Sequence, residues 1–180
     1  DKFVIYVSPQ LINKGTPFLL ESLPDEYKNE IVIISTGRTT LTDDKIIREM
    51  ARKINVCYKY FGMVEKKKIP LFYNAADLVC LLSQFDEGWG LHLAEGMAYG
   101  KPVICTNYGG MPELVEDDWQ IVEYGDVKTL QRKLAALIED ERFRKTLGEK
   151  NRERIQKFTW KNTAKQVLEG YKKLLTGSQK

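Results

Sequence analysis

The sequence has 180 residues, of which 43% are hydrophobic and 29% charged, which suits one well-packed core and is short for two independent domains. Its 28 basic and 25 acidic residues leave a formal net charge of +3, so no overall field favours nucleic acid or a membrane surface. No run of about 18 apolar residues is present, and a single histidine without a Cys-x-x-Cys pair argues against a protein-built metal site. We therefore expect one domain over residues 1–180, with a small anionic ligand still possible.

The cysteines and the first residues suggest where the chain belongs. Cys57, Cys80 and Cys105 lie in apolar, strand-like runs without paired spacing, which indicates reduced, buried thiols in a cytoplasmic protein. The chain begins Asp1-Lys2 and enters a strand-like run at once, without an initiator methionine or a signal-peptide pattern. We interpret it as a domain excised from a longer protein.

Short apolar runs alternate with amphipathic runs through the first two thirds of the chain. Strands are predicted at residues 3–7, 31–36, 56–61, 78–82, 102–106 and, weakly, 120–124. Helices are predicted at residues 16–23, 43–54, 66–76, 90–99 and 111–116. This alternation predicts an α/β fold, a single Rossmann-like domain whose parallel sheet of about six strands carries helices on both faces.

The last third of the chain predicts a helical tail. Residues 126–139 and 141–157 are charged and helical in pattern, and residues 159–175 carry an apolar stripe at helical spacing. Helix starts are marked by Asp43 and Asp126 as candidate N-caps and by Thr159. No repeat or flexible linker interrupts the chain, so no internal domain boundary is predicted.

The stretch from Ser83 to Gly110 contains the candidate site. Glu87 and Glu95 flank a Gly-Trp-Gly turn that follows an apolar strand and leads into a helix. In a parallel sheet, ligands bind beyond the carboxyl ends of the strands, so Gly88 to Gly90 would offer N–H groups to a phosphate at the helix N-terminus. Glu95 lies about one and a half turns into that helix, where a carboxylate would accept hydrogen bonds from hydroxyls such as those of a ribose.

These residues resemble one family of sugar-transferring enzymes. Two glutamates separated by seven residues, as in Glu87 and Glu95, are the signature of the retaining B-type glycosyltransferases (glycosyl transferases group 1, family 4). Segments along nearly the whole chain match the same family: Lys14-Gly15, Phe61-Gly62, Tyr73-Asn-Ala-Ala-Asp77, Glu95-Gly-Met-Ala98, Gly100-Lys-Pro-Val103, Gly109-Gly-Met-Pro-Glu113 and Phe158-Thr-Trp160. The resemblance implies the C-terminal, donor-binding domain of a two-domain enzyme, which is half of the GT-B fold.

The resemblance also implies roles for individual residues. Glu87, the implied catalytic residue, would lie against the donor sugar near the reacting carbon, and Glu95 would hold the ribose hydroxyls. Lys14 would neutralise the diphosphate, while Met63 and Val64 would lie near the base. The implied donor-binding residues are Lys14, Met63, Val64, Gly88, Trp89, Gly90, Leu91 and Glu95. No metal or other cofactor is implied, since fixed cations and helix ends stabilise the leaving diphosphate.

One position departs from the family pattern. Family members carry a Gly-Arg pair five to six residues before the lysine, and here the matching positions are Ser8 and Pro9. Arg38, in Ser35-Thr-Gly-Arg38, could compensate from the next loop. The departure either weakens the leaving-group step or marks an inactive donor-binding copy.

Several residues allow more than one interpretation. Trp89 could anchor the interior or form a wall over the sugar, and Gly109-Gly110 serves the turn into the next helix or contacts the ligand. His92 fits a surface or supporting position better than a general base, although its ordinary pKa suits the latter. The run Lys66 to Lys68 fits a solvated helix start better than a contact with an anionic membrane or acceptor.

The function that this sequence favours is donor binding in a retaining transferase. The donor would be a UDP- or GDP-sugar, and the acceptor, a glycan or a lipid-linked hydroxyl, would bind mainly to a missing N-terminal domain. The full-length protein is expected in the cytoplasm, with peripheral association at the inner face of the membrane left open. The alternative is a non-catalytic nucleotide-sugar-binding or interaction module, motivated by Pro9. A dinucleotide oxidoreductase is disfavoured, because no Gly-x-Gly-x-x-Gly follows the first strand.

Overall fold

The computed structural model describes residues 2–9 and 11–177. The strands are β1 (Phe3–Val7), β2 (Ile31–Ser35), β3 (Cys57–Tyr60), β4 (Leu78–Leu81), β5 (Val103–Thr106) and β6 (Ile121–Val122). The α-helices are α1 (Thr16–Glu21), α2 (Leu41–Lys53), α3 (Ile69–Ala75), α4 (Leu91–Ala98), α5 (Met111–Val115), α6 (Val127–Glu139), α7 (Glu141–Ile155) and α8 (Trp160–Gly177). These elements confirm the predicted α/β class and the helical tail.

The strands form a parallel sheet in the order β3-β2-β1-β4-β5-β6. From β1 the chain adds strands toward one edge, and then it crosses back and adds β4, β5 and β6 on the other side of β1. The direction of winding therefore reverses between β1 and β4, where Tyr6 pairs with Val79. The loops beyond the carboxyl ends of these two strands diverge and leave a crevice, which is the usual ligand position in such sheets.

The sheet separates two apolar clusters. Along β1, Ile5 and Val7 point into one cluster while Tyr6 points into the other, as the alternation of side chains in a strand requires. The first cluster contains residues of α1, α2 and α6, and the second contains residues of α3, α4 and α5. All four residues of β4 are buried, which explains why this strand reads as an uninterrupted apolar run.

Three helix starts test the predicted caps. Asp126 caps α6, as predicted, and at the start of α8 the Asn162 N–H donates to Thr159 Oγ1 over 3.1 Å. The prediction for α2 is wrong: Thr40 is the N-cap, and its hydroxyl accepts the N–H of Asp43 at 3.0 Å. Asp43 therefore lies in the first turn, where its charge suits the positive end of the helix dipole.

The predicted burial of the cysteines is correct for two of the three. Cys80 and Cys105 lie on β4 and β5, and burial raises the pKa of both thiols, so both stay neutral. Cys57 is exposed. It lies on β3, the strand at one edge of the sheet, where an apolar run is not covered on both faces.

The apolar stripe of α8 is uncovered in this structure. Trp160 is 90% exposed, and Val167, Leu168 and Tyr171 are exposed on the following turns.

Among residues 2–9 and 11–177, no helix has both the length and the apolar character that crossing a bilayer would demand.

Helix α7 meets the turn between α4 and β5 at a contact between two glycines. A Cβ atom added at Gly148 would lie 2.0 Å from the carbonyl oxygen of Gly100. Gly100 itself has φ +68°, a conformation that residues with a side chain rarely adopt. The backbone of α7 therefore packs directly on the turn that leads into β5.

We expect Gly148→Ala to lower the free energy of unfolding by about 1–3 kcal/mol, although alanine is the better helix former, because the new methyl group collides with backbone. Gly170→Ala is the matched control, since nothing lies within 4 Å of a Cβ at that position of α8. It should leave stability unchanged or raise it by up to about 1 kcal/mol. Urea unfolding of both variants checks the opposite signs, and equal effects would contradict the proposed contact.

Candidate functional site

A cleft of about 340 Å³ opens at the carboxyl ends of β1 and β4, where the winding of the sheet reverses. Its walls come from the loop after β1, the loop after β4 and the first turn of α4. The residues that line it are Ser8, Lys14, Leu81, Glu87, Trp89, Gly90, Leu91 and His92. A larger hollow of about 410 Å³ lies beside β3 and α2 and includes none of the predicted site residues.

The loop that carries Glu87 is held by backbone packing. The N–H of Gly110 donates to the carbonyl oxygen of Glu87 over 2.7 Å. A Cβ atom at Gly109 would lie 2.2 Å from that same oxygen, and one at Gly110 would lie 2.5 Å from the carbonyl oxygen of Gly88. Gly109-Gly110 therefore does more than turn the chain into α5, because the absence of side chains lets the Glu87 loop lie directly against it.

The first turn of α4 points free N–H groups toward the cleft. Gly90 is the N-cap, with φ 77°, and its carbonyl accepts the N–H of Leu93 at 2.9 Å. In the described part of the chain, the N–H groups of Leu91 and His92 have no protein acceptor. Such a helix end attracts anions through its unpaired donors and its dipole, worth about 0.3–1 kcal/mol at an exposed position.

Lys14 and Glu87 form an ion pair across the cleft. The ammonium group of Lys14 donates to Glu87 Oε1, and the two side chains are 22% and 16% exposed. The loop of Lys14 reaches this position because Gly15, at φ 78°, packs on the residue that follows β4: a Cβ there would lie 1.8 Å from the carbonyl oxygen of Leu82. The glycine that follows the lysine thus allows the backbone of the lysine loop to lie directly against the backbone of Leu82.

Glu95 is anchored by a buried tyrosine. The hydroxyl of Tyr73, on α3, donates to Glu95 Oε2 over 2.6 Å, and Glu95 is an exposed residue that is not among those lining the cleft. Burial, with Glu95 close by, raises the pKa of the Tyr73 phenol. The carboxylate is therefore held by one neutral donor and keeps its remaining oxygen lone pairs for other donors.

The imidazole ring of His92 is engaged by Tyr73 and by β1, although the residue lines the cleft. Its Nδ1 is 3.0 Å from the Tyr73 hydroxyl, and its Nε2 is 3.2 Å from the carbonyl oxygen of Tyr6 on β1. Burial lowers the pKa of the imidazole to about 4, although the hydrogen bond to the carbonyl acts in the opposite direction. The ring is neutral at pH 7, which agrees with a supporting position better than with a general base.

Trp89 packs toward the interior. Its ring meets the edge of Phe158 with centroids 4.7 Å apart and planes at 73°. Phe158 opens the segment that leads into α8 and also lies beneath the guanidinium of Arg154. Of the two interpretations left open by the sequence, the anchor is the one that these contacts favour, while one side of Trp89 still lines the cleft.

Met63 and Val64 do not line this cleft. They follow β3, which is separated from β1 by β2, and Met63 is 73% exposed. The nearby ring of Phe61 contacts Phe72 on α3, with centroids 5.0 Å apart. The structure therefore places these two residues after β3, outside the cleft and on the side of the sheet edge where Phe61 meets α3.

Ser8 and Pro9 occupy the positions where the family pattern has Gly-Arg, and Pro9 makes an apolar contact with the backbone instead of a contact with the cleft. Ser8 lines the cleft, but Pro9 packs on Gly37, where an added Cβ would lie 3.0 Å from the proline ring. Arg38 is exposed and does not line the cleft. Among the residues that line the cleft, Lys14 is the cation.

The sequence interpretation missed the role of Tyr73. The segment Tyr73-Asn-Ala-Ala-Asp77 was assigned only as the approach to a strand, and its aspartate does hold β1, because the Val4 N–H donates to Asp77 Oδ2 over 2.8 Å. The place of Tyr73 in a segment that matches the family was the available signal, but its partner follows 22 residues later. Within residues 2–9 and 11–177, no cluster of three His, Cys, Asp or Glu side chains is arranged to hold a metal ion.

Comparison with known proteins gives relatives over nearly the whole chain. O-antigen chain mannosyltransferase B of Escherichia coli is 27% identical over 176 residues, covering 96% of this chain and 46% of that protein. An uncharacterized glycosyltransferase of Methanocaldococcus jannaschii is 30% identical over 175 residues, covering 96% of this chain and 48% of that protein. The chain thus spans about half the length of the curated relatives it matches.

A solved structure supports the fold. Anabaena HepE in complex with UDP-glucose matches with a TM-score of 0.80 at 24% identity, covering 96% of this chain and 49% of that chain. This likeness confirms the Rossmann-like fold of a GT-B glycosyltransferase domain. A family model described as "Glycosyl transferases group 1" matches residues 1–154. The chain belongs to the glycosyl transferases group 1 family.

Proposed function

We propose that this chain is the donor-binding domain of a retaining glycosyltransferase that takes a hexose from a nucleoside-diphosphate sugar. The observation that carries the proposal is a free helix N-terminus that lines the cleft beside Glu87, with a second carboxylate, Glu95, about one turn further along the same helix. Glu87 faces a cation, and Glu95 faces a neutral hydroxyl. A ligand with an anionic centre between two sets of hydroxyls matches this arrangement.

The diphosphate would lie between Lys14 and the start of α4. Leu91 and His92, whose N–H groups have no acceptor in the described part of the chain, line the same volume as Lys14. Since Glu87 engages the ammonium of Lys14, the donor would take over this cation as it binds. Glu87 would then be free to contact the sugar, so one exchange prepares both groups.

The nucleoside would extend toward α3. Glu95 lies about one turn along α4 from the proposed phosphate site, and its free lone pairs suit the two hydroxyls of a ribose. Met63 and Val64, which follow β3, would lie near the base. HepE was solved with UDP-glucose, and the Escherichia coli relative is named as a mannosyltransferase, so the proposed donor is a UDP- or GDP-hexose.

In the proposed reaction, the bond between the anomeric carbon and the diphosphate oxygen breaks and its electron pair leaves with the diphosphate. The acceptor oxygen forms its bond to the same face of the carbon, and its proton passes to the departing diphosphate. Lys14 and the α4 N-terminus would stabilise the negative charge on the leaving group without a metal. Glu87 would stabilise the positive charge that develops on the sugar.

The acceptor, a glycan or a lipid-linked hydroxyl, would bind mainly to a part of the protein outside this chain. The chain covers less than half of the relatives named above. A donor-binding domain by itself can bind the donor but cannot position the acceptor oxygen against the anomeric carbon. We therefore propose that the 180 residues bind nucleotide sugars without transferring them, and that the complete enzyme works in the cytoplasm, with or without peripheral contact to the membrane.

A specific observation favours the alternative, a non-catalytic nucleotide-sugar-binding module. Pro9 occupies the position of the family arginine and packs on Gly37, while Arg38 lies outside the cleft lining. Among the residues that the structure describes, Lys14 then provides the one side-chain positive charge of the cleft lining that would face the diphosphate. One such charge is enough to bind the diphosphate, but it stabilises a departing diphosphate less than two would.

Nucleotide-sugar binding is tested by calorimetric titration with UDP- and GDP-hexoses. Glu95→Gln should weaken binding by about 10- to 100-fold, because charge-assisted bonds to hydroxyls contribute about 1.5–3 kcal/mol. Glu149→Gln, at an exposed position on α7, is the matched control and should bind like the wild type. An unchanged affinity in Glu95→Gln would contradict the role given to this residue.

The cation balance is tested by Lys14→Met and Pro9→Arg. Lys14→Met should lower affinity for UDP or GDP by about 10-fold or more while leaving affinity for the nucleoside unchanged, and Lys53→Met at the far end of α2 should change neither. Pro9→Arg should strengthen diphosphate binding. In the full-length enzyme, a large rise in turnover with Pro9→Arg would favour the alternative for the natural protein, whereas substantial turnover with Pro9 in place would exclude it.

The neutral state of His92 predicts a pH dependence of folding. Its pKa falls from 6.5 in the unfolded chain to about 4 in the folded one, so the unfolded state binds the extra proton first as the pH is lowered. This contribution is complete above pH 6.5 and is lost between pH 6.5 and 4. It should amount to about 2 kcal/mol of lost stability between pH 7 and pH 5. Urea unfolding of the wild type and His92→Gln should show the difference, and parallel pH profiles would disprove it.

A further inference from the structure

The hydroxyl of Tyr73 lies among three acceptors although it has one hydrogen to donate. Glu95 Oε2 is 2.6 Å away, His92 Nδ1 is 3.0 Å away, and the carbonyl oxygen of His92 is 3.4 Å away. A phenol has one donor hydrogen and accepts through its lone pairs. The direction of that hydrogen therefore depends on which neighbour can supply a hydrogen of its own.

The tautomer of His92 follows from its other contact. Its Nε2 faces the carbonyl oxygen of Tyr6 at 3.2 Å, and a carbonyl can only accept, so Nε2 carries the hydrogen. In a neutral imidazole, Nδ1 is then a bare acceptor. Both strong neighbours of the Tyr73 hydroxyl, the ionised Glu95 and Nδ1, need a hydrogen that the tyrosine can give to only one of them.

The group is thus one hydrogen short when the cleft is empty. The shorter contact and the charge of the carboxylate favour donation to Glu95, because hydrogen bonds to ionised groups are about twice as strong as neutral ones. His92 Nδ1 is then left facing an oxygen lone pair. A buried acceptor without a donor is unfavourable, so the empty cleft holds an unsatisfied group.

We propose that the Tyr73 hydroxyl is a movable donor, which occupies Glu95 in the empty cleft and turns to His92 Nδ1 when hydroxyls of the ligand take its place. This inference rests on the proposed role of Glu95 in the binding of ribose hydroxyls. Hydroxyls that donate to the carboxylate supply the missing hydrogens, after which every member of the group has a partner. Tyr73 and His92 then act through Glu95 as positioning residues.

The packing of Tyr73 allows its hydroxyl hydrogen to turn without movement of the ring. The side chain is 1% exposed and stacks on Tyr99, with centroids 5.2 Å apart and planes at 7°. The edge of Tyr6 closes the other side, with centroids 4.9 Å apart. Rotation about the carbon–oxygen bond is then the available motion, and both acceptors are already within hydrogen-bonding distance.

The proposal is tested first by nitrogen NMR of the imidazole. The 180-residue chain contains one histidine, so ¹⁵N-histidine labelling gives one ring to follow, and its loss in His92→Asn confirms the assignment. The expected result is the Nε2–H tautomer throughout, with Nδ1 changing from a free to a hydrogen-bonded acceptor when UDP or GDP saturates the site. The 2′,3′-dideoxy nucleotide should not cause this change, and neither should UDP or GDP with Tyr73→Phe.

A binding cycle tests the same exchange independently. His92→Phe removes the alternative acceptor, so affinity for the ribonucleotide should fall by about 3- to 10-fold, the value of one neutral hydrogen bond. Adding Tyr73→Phe to that variant removes the competing donor and should restore the affinity to the wild-type level or above. Tyr99→Phe removes a hydroxyl from the stacked neighbour and should leave the affinity of each background unchanged.

The outcomes separate this inference from the proposed function. A wild type that binds the ribonucleotide and its dideoxy analogue equally, or binds neither, overturns the role of Glu95 and this inference with it. If the wild type clearly prefers the ribonucleotide, two results would overturn the movable donor alone. One is a ¹⁵N signal of His92 Nδ1 that does not change when the nucleotide binds, and the other is additive losses of affinity in the double variant.

Discussion

The site depends on backbone packing against backbone. The Glu87 loop can lie where it does only because Gly109 and Gly110 have no side chains, and the lysine loop reaches it only because Gly15 can pack on the carbonyl oxygen of Leu82. Each contact is too close for any other residue. The two loops are thereby held at a fixed separation above β1 and β4, and the cleft between them exists before a ligand arrives.

This packing also determines how charge is distributed. A loop held by backbone contacts can carry an acid and a base that face one another without needing that ion pair for its shape. The pair of Lys14 and Glu87 is therefore available for exchange with a ligand, whereas the partner of Glu95 is a hydroxyl from the neighbouring helix. One carboxylate faces a cation and the other faces a neutral donor, which suits their different proposed roles.

Much of the fold could be predicted from the sequence, and the failures have local causes. The first and last residues of the strand at residues 3–7 were both predicted correctly, because a buried parallel strand is an uninterrupted apolar run. Cys57 was misassigned since its run looks equally apolar, and only the strand order shows that it lies at an edge. Asp43 was predicted as the cap in place of Thr40 because Asp and Thr are both capping residue types and the start of a helix is uncertain by one or two positions.

The site could be predicted in part. Family spacing identified Glu87, Glu95 and Lys14, and the structure brings Glu87 and Lys14 together in the cleft. The contact of Tyr73 with Glu95 could not be predicted, because it depends on how α3 packs beside α4 rather than on any spacing along the chain. The displacement of Met63 from the cleft likewise follows from the strand order, which places β2 between β3 and β1.

The ion pair of Lys14 and Glu87 affects how ligand binding depends on ionic strength. In the proposed function, dissolved salt screens the attraction between the cleft and an incoming diphosphate, but it also loosens the internal pair that withholds the lysine. The two effects have opposite signs at the same cation. A lysine that is neutralised in advance therefore makes the cleft less sensitive to its ionic surroundings than a free lysine would.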